Sequence, residues 1–384
     1  MKKILRPLFS VILFIAVAFF AIRIFEQAQP AFSPSAENDP QEYVYVSEGT
    51  VILDNELPEE EILKQLEKAI AEKAEHICIR DHERFEWHDL LSLDYSSFWL
   101  KEFGTVRYPD SRIEGDEKDS EITFYEMTYY DLSDEEIAAM KAEIDESVNE
   151  ILAQIPEDAG LWQKIKTVHD LLCQKTGYDR TLTLPHCQNA YGALVSGKAV
   201  CSGYAVAFRI LMEKLGVDSP IIVSEDHAWN YIDANTYENY IDVTWDDMDR
   251  TEDNDADVIL YDFFGLTKEE VESVDIHTIL DGGIAEEREE SLADPETFNY
   301  FRHEGLFLEE YSREELVSVL RRQLDSGKEL LSVRMTEEGF EKLRSLEDEE
   351  LSRIVYDAGF RGRFRFWYND DLHILNILPG YGEQ

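Results

Sequence analysis

Cys201, His227 and Asp242 are the residues whose types and spacing could together carry out covalent chemistry. From Cys201 onward, Tyr204, Phe208, Leu211, Met212 and Leu215 recur at helical spacing until Gly216. The thiol is therefore expected in the first turn of a buried helix that ends at the glycine. Unpaired N–H groups and the positive end of the helix dipole favour a thiolate there, the form that attacks a carbonyl. A cysteine at a helix start is by itself equally compatible with inert packing, so its company decides. Ile222 to Asp233 and Asn239 to Thr244 read as two strands joined by the polar segment Ala234 to Glu238. Folding about Ala234 and Asn235 sets His227 directly opposite Asp242, with Cβ atoms about 5 Å apart. The carboxylate could then hold the imidazole while the other ring nitrogen faces the thiol, giving nucleophile, base and orienter in chain order.

Holding such a triad requires a helix, a sheet and supports for both. Gly192, Gly197 and Gly203 punctuate the approach to the cysteine helix. A leading helix capped by Asp134 runs through Ile137, Met140, Ile144, Val148 and Ile151 to Ile155, near Pro156. The catalytic segment is assigned to residues 134–284. Upstream, residues 43–133 form a small α+β unit: an alternating Tyr43 to Val51, a helical stripe of Ile62, Leu63, Leu66 and Ile70, the strand His76 to Arg80, a helix around Leu90 to Leu100 and the strand Glu121 to Tyr125. Residues 285–384 form a second α+β unit that could repeat the first. An ungapped alignment sets Glu60 on Glu314, Glu61 on Glu315, Leu66 on Leu320, Glu75 on Glu329 and Arg80 on Arg334.

The triad motifs resemble those of the transglutaminase-like superfamily, in the form common among exported bacterial proteins. The resemblance rests on Tyr191 to Leu194, Val200 to Ala205, His227 to Asn230 and Asp242 to Asp247, within a stretch from Leu161 to His277. It implies an α+β fold with a papain-like core, a cysteine-bearing helix packed on an antiparallel sheet, flanked here by the two small units. It also implies that Cys201 is the nucleophile, His227 the general base and Asp242 its orienting acid. The reaction would be acyl transfer from a peptide or glutamine-type amide through a thioester to water or an amine. Besides the Cys201 backbone N–H, the oxyanion needs a donor, for which Tyr191, Gln188 and Asn189 are the candidates. The alternative is an inert scaffold or binding module at the cell surface. Trp229 and Trp245 read mainly as packing for the sheet.

Location follows from the first residues. Lys2, Lys3 and Arg6 precede an uncharged run from Pro7 to Ile22, so residues 1–25 are expected to be a signal-anchor or transmembrane segment with the remainder extracytoplasmic. The apolar residues after Ala16-Val17-Ala18 favour an uncleaved anchor over a secreted protein with its signal removed. Residues 26–42, rich in Pro, Ala, Ser and Asn, read as a linker.

The full chain of 384 residues carries a formal charge of −46. Residues 1–35 hold Lys2, Lys3, Arg6 and Arg23 against Glu26, so the acidity belongs wholly to the rest. Such a surface repels phosphate backbones and argues against nucleic-acid partners, leaving a protein or cell-wall peptide as substrate. With 44% hydrophobic residues the chain is globular. A thiolate also requires these carboxylates to lie on the outer faces, leaving an apolar cleft around Cys201. No cofactor is expected. Asp246, Asp249 and Asp253 belong to an acidic stretch that could attract calcium, but without EF-hand spacing it reads as a solvated loop. His82 and His88 lack a tight zinc motif. Cys78 reads as core; Cys173 and Cys187 bracket a loop and are expected to stay unpaired.

Overall fold

The computed structural model describes residues 50–53, 68, 76–80, 104–105, 112–114, 122–126, 128–129, 132–224, 227–233, 238–248, 258–277 and 298–380. The segments expected to be an anchor and a linker lie outside them, as do the helix around Leu90 to Leu100 and His82 and His88. Among the described residues no helix is long and apolar enough to cross a membrane. The fold mixes helices and sheets, in the α+β manner.

The first sheet contains β1 (Thr50–Leu53), β2 (His76–Arg80), β3 (Arg112–Glu114) and β4 (Ile122–Glu126), in the spatial order β1-β2-β4-β3. β1 runs parallel to β2, and the other two pairings are antiparallel. A parallel pair needs a crossover between its strands, and Lys68, in the stretch expected to be a helix, is helical.

Helix α1 spans Asp134–Leu152. Its N-cap is Ser133, one residue before the expected Asp134, because the serine hydroxyl accepts from the Glu136 N–H while the Glu136 side chain returns to the Ser133 N–H. Met140, Ile144, Val148 and Ile151 face the core. Helix α2 (Leu161–Lys175) buries Trp162, Ile165, Val168, His169, Leu172 and Cys173. A π-helical turn, Gly192–Ser196, then leads towards α3 (Cys201–Lys214). At Gly192 a Cβ would lie 2.2 Å from the His186 carbonyl oxygen, so only glycine lets the backbone pass. The sequence suggested one apolar face for α3. Instead it is buried nearly all round, as a helix enclosed by other elements must be.

The second sheet packs against α3 and contains β5 (Ile221–Val223), β6 (Ala228–Asp233), β7 (Glu238–Ile241) and, further along, β8 (Phe264–Leu266), in the order β8-β7-β6-β5 and antiparallel throughout. The single strand expected from Ile222 to Asp233 is thus two strands. Between them the Ser224 N–H donates to the His227 carbonyl, and the sequence marks the break with the polar run Ser224-Glu225-Asp226. The hairpin register also differs: Asn230 pairs with Ile241 and Asp233 with Glu238, so the loop holds four residues and the pairing is two residues away from the expected one. A shift of two preserves the face of every side chain, and His227 and Asp242 still meet, diagonally. Helix α4 (Val243–Asp246) follows, then after β8 come α5 (Lys268–Glu272) and a 3₁₀ turn, Asp275–His277.

The third sheet contains β9 (Phe307–Leu308), β10 (Leu331–Met335), β11 (Phe364–Asn369) and β12 (Ile374–Pro379), in the order β9-β10-β12-β11. Its first pair is parallel, crossed over by α6 (Arg313–Asp325), and the others are antiparallel. This is the strand order of the first sheet. Even the rungs correspond, since Arg80 pairs with the first residue of β4, Ile122, and Arg334 with the first residue of β12, Ile374.

Candidate active site

Cys201 is the first residue of α3 and is nearly buried, at 7% exposure. The N-cap Val200 offers no side-chain acceptor, so the N–H groups of the first turn remain directed at whatever lies by the thiol. Gly203, two residues further along, brings the helix against the preceding loop: a Cβ there would meet the Cys187 carbonyl oxygen at 2.6 Å. His227 immediately precedes β6, and its imidazole is near enough to Cys201 for the two side chains to influence each other electrostatically. Its Nε2 lies 2.5 Å from Asp242 Oδ2, which leaves Nδ1 uncommitted to the carboxylate. Asp242 is the N-cap of α4, its Oδ1 accepting from the Thr244 and Trp245 N–H groups at 2.9 and 3.1 Å. The three sequence-predicted residues therefore converge.

A fourth residue joins them that sequence reasoning had not singled out. His277 ends the 3₁₀ turn and is fully buried, with its Nε2 2.8 Å from the same Asp242 Oδ2. Val271, Val274 and His277 recur every third residue and are all buried; that spacing was the available signal. The aromatic rings of Trp229, Trp245 and Phe263 surround this histidine at centroid distances of 4.9, 5.1 and 5.0 Å. Trp245 is more than sheet packing, since 38% of it is exposed while its ring edges onto His227. Burial works against an imidazolium at His227, but the charge and hydrogen bond of Asp242, with a further contribution from Cys201, raise its pKa well above the ordinary value. Burial would push the Asp242 carboxyl up, yet His227 and His277 outweigh it and hold the carboxyl well below the usual range.

By type, His227, Asp242 and His277 could hold a metal, their ligand atoms lying within 4.8 Å of one another. Ligands set tetrahedrally around zinc at about 2.1 Å would stand about 3.4 Å apart. The contacts of 2.5 and 2.8 Å are hydrogen-bond distances instead. Of the acidic stretch considered for calcium, Asp249 and Asp253 lie outside the described residues. Asp246 is no loop ligand: it is fully buried, accepting from the Phe263 N–H at 2.9 Å and facing His169 Nε2 at 3.1 Å.

Of the oxyanion candidates, Tyr191 directs its hydroxyl to Glu143 Oε2 on α1 at 2.5 Å. Asn189 uses its Oδ1 to accept from the Tyr191 and Gly192 N–H groups, shaping the turn, and Gln188 is half-buried. The three described cysteines, Cys173, Cys187 and Cys201, are free. The expectation of an apolar surround fails at the base of the site, where Asp170, Asp242, Asp246 and Asp262 are all substantially buried. Each has partners: imidazole for the first three, and for Asp262 the side-chain amides of Asn369 and Asn376. Pairing is what makes their burial tolerable.

No family model matches the chain. No curated protein matches it either. Among solved structures, a crystal structure of a TGase is similar at 13% identity and a TM-score of 0.26, the match covering 44% of this chain and 51% of that one. A crystal structure of menin, revealing the binding site for Mixed Lineage Leukemia (MLL) protein, is similar at 22% identity and a TM-score of 0.24, over 33% of this chain and 28% of that one. The chain thus spans about half the length of the first and under a third of the second. Likeness of this degree says nothing of activity.

Proposed function

We propose that this chain is an extracytoplasmic transglutaminase-like cysteine enzyme, held at the membrane by residues 1–25 and acting on amides of proteins or cell-wall peptides. The observation that carries the reading is the alignment of a thiol at a helix start with an imidazole whose far nitrogen is fixed by a buried carboxylate. Cys201 Sγ attacks the amide carbonyl carbon as its proton passes to His227, and His227 returns that proton to the departing amine. The acyl group then rests as a thioester. Water or a second amine attacks it, losing a proton to His227, and the thiol is regenerated. The Cys201 backbone N–H, in the first turn of α3, supplies one donor to the oxyanion. The units 43–133 and 285–384 are copies of one module that control access to this centre, a reading supported by their common strand order.

Two measurements test the reading. Wild type and Cys201→Ala protein are each incubated with glutamine-containing peptides and wall fragments, and products are read by mass. Deamidation, cleavage or cross-linking should fall by at least about a thousandfold in the variant; full retention would overturn the assignment. Iodoacetamide should also label Cys201 below pH 8 before the other described thiols. Burial and the charges of Asp247, Asp246, Asp170 and Asp242 push Cys173 well up, and burial with Asp179 pushes Cys187 to about 11. Equal, slow labelling of all three would favour an inert module.

A further inference from the structure

Asp242 receives more donors than a catalytic triad requires. Its Oδ1 is filled by two backbone N–H groups and its Oδ2 is shared by two imidazoles. The second imidazole, His277, has its Nδ1 buried with no hydrogen-bond partner among the described residues. A proton on that nitrogen would place an unpaired cation against three aromatic rings, which burial penalises heavily. The only proton with a partner is the one on Nε2. His277 is therefore a neutral imidazole in the Nε2–H form, and burial, the leading influence, holds its pKa below the ordinary value despite Asp242.

We propose that His277 is a positioning residue for the His227–Asp242 pair, donating its Nε2 proton to Asp242 Oδ2 and thereby limiting how firmly His227 keeps its own proton. The reason is competition for one oxygen. A carboxylate that accepts from a neutral donor presents less charge to a neighbouring imidazolium. Without His277, all of Oδ2 would serve His227, which would then remain protonated to higher pH and serve poorly as the base that activates the attacker of the thioester. The other titratable groups that bear on the pair are Cys201 on α3, Cys173 on α2 and Asp246 at the end of α4, with Trp229, Trp245 and Phe263 filling the remaining contacts. None of them donates to Oδ2.

The inference rests on the catalytic reading of Cys201 and His227 for its purpose, and its test does not. The full chain is labelled with 15N-histidine, and the ring signals of His227 and His277 are assigned by difference from His227→Gln and His277→Gln and followed over pH. In wild type, His277 should be neutral with its proton on Nε2 at pH 7 and above; an imidazolium or the Nδ1–H form there overturns the proposal, whatever the midpoints in the other variants. In His277→Phe the His227 midpoint should rise by about half a unit or more, a threefold change in its proton affinity. In His277→Gln, whose amide N–H reaches the same oxygen, the midpoint should return to the wild-type value. An unchanged midpoint in His277→Phe, or a rise that glutamine does not reverse, overturns the proposal. Iodoacetamide labelling of the same samples separates the two ideas. Slow labelling of Cys201 in wild type counts against the catalytic reading, while the histidine midpoints still decide the role of His277.

Discussion

Two histidine–carboxylate clusters sit back to back in this chain, and they are built as inverses. In one, the single carboxylate Asp242 lies between two imidazoles, His227 and His277. In the other, the single imidazole His169 lies between two carboxylates, with Nδ1 3.1 Å from Asp170 and Nε2 3.1 Å from Asp246. Burial opposes a charged His169, but the two carboxylates outweigh it and raise its pKa to about 9. With both nitrogens committed it has none left for a substrate. The cluster is a strut: Lys166 braces Asp170, and Asp246 ties α4 to the Phe263 N–H. The first cluster differs in one respect, that a ring nitrogen of His227 is left for a thiol. A buried histidine pair becomes a candidate for chemistry when it has an uncommitted nitrogen directed at a nucleophile.

The most severe challenge to this contrast is a reciprocal substitution. His227→Gln should abolish amide chemistry and the selective labelling of Cys201, by about a hundredfold or more in the folded fraction. His169→Gln should do the reverse, costing about 3 kcal/mol in urea unfolding while the folded fraction keeps its activity. That figure is at the low end for breaking a buried pair because Lys166 still neutralises Asp170 and Asp246 can take up a proton. Inactive but stable His169→Gln protein would erase the distinction.

Much of the first cluster was legible in the sequence and almost none of the second. Cys201 and the hairpin pair could be read because a helix start and two alternating strands leave periodic marks, and because a register error of two residues leaves every side chain on its face. The break at Ser224 to His227 is marked by the polar run Ser224-Glu225-Asp226, yet one polar run between apolar residues does not by itself distinguish a turn from an exposed stretch of strand. His277 lies 35 residues beyond Asp242; its spacing from Val271 and Val274 marks it as buried but not as a partner of Asp242. His169 is on a well-marked helix, but periodicity says only that a position is buried, not that its partner is Asp246, 77 residues away. The acidic stretch misled for the same reason. Composition makes Asp246 a loop residue, and only tertiary pairing brings it inside.

Asp262 sharpens the comparison, being a buried carboxylate that contacts neither histidine nor a cation among the described residues. Burial and the nearby charge of Asp246 lift its pKa from 3.8 to about 7, against the weaker pull of Asn369, Asn376 and Arg334. Its folded pKa thus exceeds its unfolded one. The folded state binds the extra proton between about pH 4 and 7, so this group's contribution to stability is full below pH 4, declines as pH rises, and is gone above 7. At ~1.4 kcal/mol per unit the swing is at most about 4 kcal/mol. Asp262→Asn retains an acceptor for the asparagine amides and should flatten stability over that window, leaving the variant the more stable protein at pH 8. An unchanged pH slope in urea titrations would mean that Asp262 is ionised and solvated.

The finest distinction lies between the two carboxylates that carry the clusters, Asp242 and Asp246, each replaced by asparagine. Asp246→Asn keeps an oxygen for the Phe263 N–H but removes one of two anions facing His169. The His169 midpoint should fall from about 9 by about a unit. It should remain above that of a free imidazole, because Asp170 is untouched. Charge contributed by Asp246 appears as stability present below pH 6.5 and lost as pH rises towards 9, so the variant should be closest to wild type at pH 9 and above. Asp242→Asn has no such reserve: His227 loses the one anionic carboxylate partner it has among the described residues, and its midpoint should fall further than that of His169. Equal falls in the two variants would mean that Asp170 contributes nothing to the strut, and that the inverse construction of the clusters has no consequence for the protons they hold.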